Sequence, residues 1–192
     1  YIEAILQSYG FETRQGVMVK GHCLSHEIDV IGWQGSKHFL IEAKYHNQPG
    51  IKTHVDVVMY ADARLQDIEK EEIKREKEKY EHGMWLITNT KFTDHAITYA
   101  KCRSIRLTGW NYPRGASLED VISQKRLYPV TILPSLTNEM LPVFAAKGVI
   151  LAQDLLTYDV PALVATFGIP TTVAEKLVAE LAGMVGDAIQ SN

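Results

Sequence analysis

Hydrophobic positions along the chain change their period several times, and each change predicts an element. Ile2, Ile5, Leu6 and Tyr9 recur at helical spacing, with Gly10 behind them as a C-terminal stop. β-rich segments follow near residues 17–22, 27–31 and 38–45, the last two joined by a turn centred near Gln34 and Gly35, which predicts a hairpin. Asn47, Gln48, Pro49 and Gly50 break the pattern, and Val55, Val58, Met59 and Leu65 then line one face of a helix. Residues 66–82 alternate in charge over a thin apolar stripe of Ile68, Ile73 and Tyr80. Glu71 with Arg75 and Lys74 with Glu78 are spaced for i,i+4 pairing, so this stretch reads as a solvated helix face rather than a DNA-contacting arm.

The run MWLIT at 84–88 has the continuous apolar character of a buried central strand. Thr93 is placed to cap a helix carrying Ala96, Ile97 and Ala100, and SIRLTGW at 104–110 reads as the returning strand. A strand, helix and strand of these lengths form a crossover, so the two strands are expected to be parallel. Ser117 and Asp120 have capping-box spacing for a helix ending near Lys125. A hairpin first and a parallel crossover second predict an α/β fold: a mixed β-sheet flanked by helices.

Prolines at 129 and 134 mark a connector, after which no strand pattern is convincing. Thr137 is expected to cap a helix ending at Gly148, and Leu151, Leu155 and Leu156 continue an apolar face. Pro161 suits a first helical turn and Gly168 a stop, while Thr172 and Glu175 have the spacing of a second capping box. Two domains are therefore expected, residues 1–128 and a small all-helical C-terminal domain at 129–192. A unit of ~60 residues buries a modest core alone, so packing on the first domain or on a partner is expected.

Bulk properties narrow the function classes only a little. With 46% hydrophobic and 22% charged residues the composition is that of an ordinary globular protein. A formal charge of −3 lowers the expectation of tight, nonspecific DNA binding, although a local basic face is compatible with it. Cys23 and Cys102 form no CxxC pattern, which suggests reduced thiols and a cytoplasmic setting. No apolar run approaches the ~20 residues of a membrane span and no signal peptide is visible. The chain opens at Tyr1 already inside a helical pattern, so a missing upstream regulatory or targeting domain is expected.

Candidate chemistry concentrates between His26 and Lys44. Side chains alternate along a strand, so Glu42 and Lys44 share a face and Ala43 turns away. Folding at Gln34 and Gly35 brings Asp29 opposite the neighbourhood of Ile41 and Glu42, which gathers two carboxylates and an amine. Two ionised carboxylates ~4 Å apart repel by ~4 kcal/mol at an effective dielectric of ~20. A hard divalent cation offsets that repulsion, so the layout is one a metal-dependent hydrolase needs; the competing reading is a half-buried hairpin with solvated charges. Five histidines, His22, His26, His38, His46 and His54, fall in the first third, but none has the i,i+4 spacing of a helical zinc motif. Carboxylate oxygens favour Mg²⁺ or Mn²⁺ over zinc. His46, nearest the end of the Glu42–Lys44 strand, is assigned a supporting role.

The helix YIEAILQSYGFE, the hairpin with Asp29, the strand end EAKYH and the segment MWLITNTKFTDHAITYAK together resemble the PD-(D/E)xK nuclease core, with surroundings similar to the Mrr-type restriction endonuclease branch. The likeness spans most of residues 1–125, and one departure is Ile28 where the motif has its proline. It implies a restriction endonuclease-like fold and a Mg²⁺-dependent DNA endonuclease, with Asp29 and Glu42 as metal ligands. Ala43 would contribute its carbonyl, Lys44 would position or activate the attacking water, and Glu3 on the first helix would be a further ligand. Duplex cleavage would favour a homodimer. Alternatives are a non-catalytic nucleic-acid- or partner-binding module on the same fold, or a junction-resolving nuclease. Gly168-Ile169-Pro170 faintly resembles a helix-hairpin-helix turn, but proline lacks the N–H that such a turn offers to phosphate, which favours docking or dimerisation for the tail.

Overall fold

A computed structural model describes residues 1–46, 48, 50–74 and 81–190. Two compact units divide between Lys125 and Arg126, with Tyr1 counted in the second. The boundary falls three residues before the expected one.

In the first unit, α1 (Ile2–Ser8) leads into β1 (Glu12–Lys20), β2 (Ser25–Gln34) and β3 (Lys37–Lys44). β4 (Lys52–Thr53), α2 (Val55–Lys74), β5 (Glu81–Thr88), β6 (Lys91–Phe92), α3 (Asp94–Cys102), β7 (Arg106–Thr108) and α4 (Leu118–Lys125) follow. The main sheet has the order β1-β2-β3-β5-β7. β1, β2 and β3 pair antiparallel, while β3-β5 and β5-β7 are parallel, so the expected mixed sheet is observed. β4 and β6 form a separate two-residue parallel clasp.

Local chemistry accounts for the joints. Gly35, at φ 61°, permits the β2-β3 reversal, and the Thr93 side chain caps α3 by accepting from the Ala96 N–H. Ser117 and Asp120 form the expected reciprocal box, at 3.1 Å from the Asp120 N–H to Ser117 Oγ and 3.0 Å from the Ser117 N–H to the Asp120 carboxylate. The sheet separates two apolar layers. Leu40, Met84 and Leu86 pack with Val58, Ile68 and Ala96 of α2 and α3, whereas Val30, Ile41, Trp85 and Ile87 pack with Leu6 of α1.

β2 does not keep one face throughout. Ile28 belongs to the α2 layer but Val30, two residues on, to the α1 layer. The β1-β2 ladder skips Gly16 and Asp29 at this point, and Gly16 lies in the left-handed region at φ 60°. The ribbon turns over where Asp29 sits, an irregularity that period-two reading does not reveal.

Helix α2 is described as far as Lys74, so the expected pairs of Glu71 with Arg75 and Lys74 with Glu78 lie outside the described residues. Glu71 is buried, not solvated; its carboxylate lies 3.6 Å from Lys20 Nζ and 4.0 Å from His22 Nδ1. Among the described residues no helix is long and apolar enough to cross a membrane. Cys23 and Cys102 are both free and exposed.

The second unit is helical, as expected: α5 (Leu141–Ala146), α6 (Val160–Phe167), α7 (Thr171–Gln190) and two short 3-10 turns. Its core stacks Phe144 on Phe167 with ring centres 4.1 Å apart, surrounded by Leu155, Leu163 and Leu177. Thr137 does not cap a long helix: α5 starts only at Leu141, with Pro142 in its first turn and no side-chain cap. Thr172 lies inside α7 and forms no capping box; the Pro170 carbonyl accepts the Val173 and Ala174 N–H groups instead. Asp159 caps α6 through the Ala162 N–H, with Pro161 in the first turn and Gly168 as the stop, as expected.

Candidate metal centre

Asp29 and Glu42 come together because the hairpin register allows nothing else. Pairing runs from Gln34↔Lys37 to Val30↔Ile41, so the next residues along, Asp29 and Glu42, face each other where the ribbon opens. Asp29 Oδ2 accepts the Ala43 N–H at 2.8 Å, replacing the strand partner that Ala43 lacks on this edge. In an extended strand the N–H and C=O of one residue leave on the same edge, so the Ala43 carbonyl also faces Asp29. Two carboxylates and a carbonyl thus converge at the mouth of the hairpin.

Their surroundings differ. Asp29 is exposed, whereas only 16% of the Glu42 side chain is accessible. Burial pushes the Glu42 carboxyl up to about 7, the Asp29 charge adds to the rise, and the Arg64 guanidinium of α2 opposes it. Arg64 Nη1 stands 2.6 Å from Glu42 Oε1 as an ion pair, while the buried Arg64 Nε has no hydrogen-bond partner. Arg64 Nη2 donates to the Glu27 carbonyl, and the guanidinium lies 5.6 Å from the centre of the Tyr60 ring. A cation therefore already stands at Glu42, supplied by the protein itself. No sequence pattern predicted Arg64, since one arginine on the polar side of an amphipathic helix carries no signal of its target.

The remaining candidates divide. Lys44 is exposed at the end of β3 and, among the described residues, makes no hydrogen bond or ion pair. Glu3 is not gathered into the site: its Oε1 accepts from Thr13 Oγ1 of β1 at 3.0 Å, on a helix that covers the sheet face opposite Arg64. Among the described residues no three His, Cys, Asp or Glu side chains are placed to hold a metal ion, so Glu3, Asp29 and Glu42 are not a preassembled triad. His46 serves the backbone. Its N–H donates to Asn89 Oδ1 and its carbonyl accepts from Asn89 Nδ2, both at 2.9 Å, while Nε2 is 3.2 Å from Thr53 Oγ1. That clasp fixes the chain as it leaves β3, close to Lys44 but not in contact with it.

Comparison with known proteins gives a family without an activity. Residues 128–185 match the family model described as AF1548-like, C-terminal. A protein of Archaeoglobus fulgidus described only as uncharacterized is 35% identical over 185 residues, which cover 95% of this chain and 98% of the relative. The chain belongs to the AF1548-like family. The crystal structure of AF1548, described as a protein of unknown function, superimposes with a TM-score of 0.78 at 33% identity, covering 97% of this chain and 95% of that one. The family architecture thus includes both the mixed-sheet unit and the helical unit.

Proposed function

We propose that this AF1548-like protein is a metal-dependent DNA endonuclease with a restriction endonuclease-like fold. The observation that carries the reading is the open hairpin end, where Asp29, Glu42 and the Ala43 carbonyl converge beside the exposed Lys44. This donor set is all oxygen and fits a hard divalent ion, Mg²⁺ or Mn²⁺. Such an ion would polarise a phosphate oxygen and lower the pKa of a bound water. Glu42 must be charged to serve as a ligand, and its raised pKa ties that charge to the neutral and alkaline range. Lys44 supplies a free ammonium one strand repeat beyond Glu42, where it would stabilise charge developing on the phosphate. Arg64, which stands beside Glu42, would be near enough to neutralise part of a bound phosphate's charge. Duplex DNA is the expected substrate, and a homodimer would present two such sites.

A second reading takes its support from the same Arg64. If the guanidinium stays on Glu42, the unit is a binding module without turnover. Incubation of supercoiled plasmid with Mn²⁺ separates the two. Nicking by the wild type and its loss in Lys44→Ala are expected; intact plasmid with the wild type, or cutting retained in the variant, overturns the nuclease reading. Branched DNA in the same assay tests for a junction-resolving preference.

A further inference from the structure

A second site lies on the other face of the sheet and does not rest on the nuclease reading. Between α1 and α4 a pocket of about 310 Å³ opens over β3, β5 and β7. That volume is at the small end of pockets that enclose a whole ligand. Phe39, Trp85 and Phe11 form its aromatic wall, with Phe39 and Trp85 5.8 Å apart edge to face and Phe11 6.2 Å from Trp85. The indole is fixed by its own N–H, which donates to the buried Thr108 hydroxyl at 3.0 Å.

Charge makes this pocket more than a packing gap. The Arg106 guanidinium lies 3.6 Å from the centre of the Trp85 ring and 5.9 Å from that of Phe39. Stacking occupies its flat face and leaves its edge, where the five N–H donors are, pointing away from the ring. Among the described residues the Arg106 guanidinium makes no side-chain hydrogen bond or ion pair, and Lys37 adds a second cation to the lining. Among the described side chains no aspartate or glutamate lines the pocket, although the chain as a whole is acidic. Partial desolvation lowers the Arg106 pKa from its ordinary value, yet no carboxylate has been placed to relieve it.

We infer that this pocket binds a nucleotide unit, the ring against the partly exposed Phe11 and Phe39 and the phosphate on the edge of Arg106, which Trp85 holds in place from below. An aromatic surface offers every base a stacking partner. A guanidinium edge matches two phosphate oxygens at once. One volume of this size takes a single nucleotide, which can be a free mononucleotide or one residue of a single strand.

Calorimetric titration of the full chain with adenosine monophosphate, adenosine and a deoxyadenylate hexamer, without divalent ions, tests the assignment. Saturable binding of the monophosphate is expected, with adenosine weaker by about tenfold or more, the scale of a charge-assisted hydrogen bond. Arg106→Gln should bring the monophosphate down to the adenosine level. Ala116→Trp, at an exposed lining position, should block both ligands while the melting temperature stays that of the wild type. Tighter binding of the hexamer than of the monophosphate identifies a strand as the source; monophosphate binding alone identifies a free nucleotide. No saturable binding of either, equal affinity for adenosine and its monophosphate, or affinity undiminished in both variants overturns the proposal. Because no metal is present, failure of Asp29 and Glu42 to cut DNA leaves this result untouched.

Discussion

Two acid–arginine pairs meet on α2, two residues apart in sequence, and they are built to opposite standards. Asp62 is buried and fully satisfied: its Oδ2 accepts from Tyr99 Oη at 2.8 Å, Arg103 Nε at 2.9 Å and Gln66 Nε2 at 2.9 Å, while Oδ1 accepts from Arg103 Nη2 at 3.3 Å. Glu42 is partly enclosed, with 16% of its side chain accessible against 4% for Asp62; its Oε1 has the ion pair with Arg64 but no hydrogen bond, and the charge of Asp29 stands beside it. The first arrangement is closed and pins α3 to α2. The second is left incomplete, which costs stability and keeps a carboxylate available to another cation. A structural pair and a candidate working pair are thus told apart most clearly by how many hydrogen bonds each acid has.

The largest effect that would sharpen this contrast comes from Asp62→Ala. Removing it takes the shared acceptor from four hydrogen bonds, those of Tyr99 and Gln66 and two of Arg103, and a loss of roughly 3 kcal/mol in urea unfolding is expected. A loss as large in Glu42→Ala would erase the distinction.

Next in size is the pH response of Glu42. Its folded pKa of about 7 exceeds the ordinary 4.5, so between those values the native state holds a proton that the unfolded state has released. Stability therefore falls as pH rises through that window, by up to ~3 kcal/mol, and the deficit is complete above it. Glu42→Gln should flatten this part of the stability curve; a slope unchanged in the variant would assign it elsewhere.

Addition of Mn²⁺ should act in the opposite sense at pH 8, raising the melting temperature of the wild type. At an ion concentration 100 times Kd the gain is about 2.7 kcal/mol, and it should vanish in Asp29→Asn. A matching gain in that variant would show that the ion binds away from the hairpin. Smallest in stability is Lys44→Ala, expected to lie within about 0.5 kcal/mol of wild type because the residue is exposed, while plasmid nicking is lost.

The legibility of the two pairs in sequence follows the same physics. Asp29 and Glu42 were readable because strand periodicity and the turn at Gly35 fix the register, and the hairpin stays local. The parallel crossover and the Ser117–Asp120 box were readable for similar reasons of length and spacing. Arg64 was not, because its partner lies 22 positions away on another element and α2 has several polar residues with equal claim. Nor was the turning-over of β2 at Asp29, which rests on the φ of Gly16 across the ladder. In the helical unit, Thr172 and Glu175 had capping-box spacing, yet the Pro170 carbonyl accepts the two N–H groups at the start of that helix.

The parallel pairing of β3 with β5 also sets an order of assembly. The β2-β3 ribbon closes over a short loop, an event of ~1–10 μs, whereas the crossover that seats α2 must bridge a much longer stretch and comes later. The two acids are therefore neighbours before their guanidinium arrives. For that interval their mutual repulsion is expected to oppose closure of the hairpin's open end, and protonation of one carboxyl to relieve it. The same two carboxylates proposed to hold a cation in the finished fold are thus expected to slow refolding at neutral pH relative to mild acid, a difference that Asp29→Asn should remove.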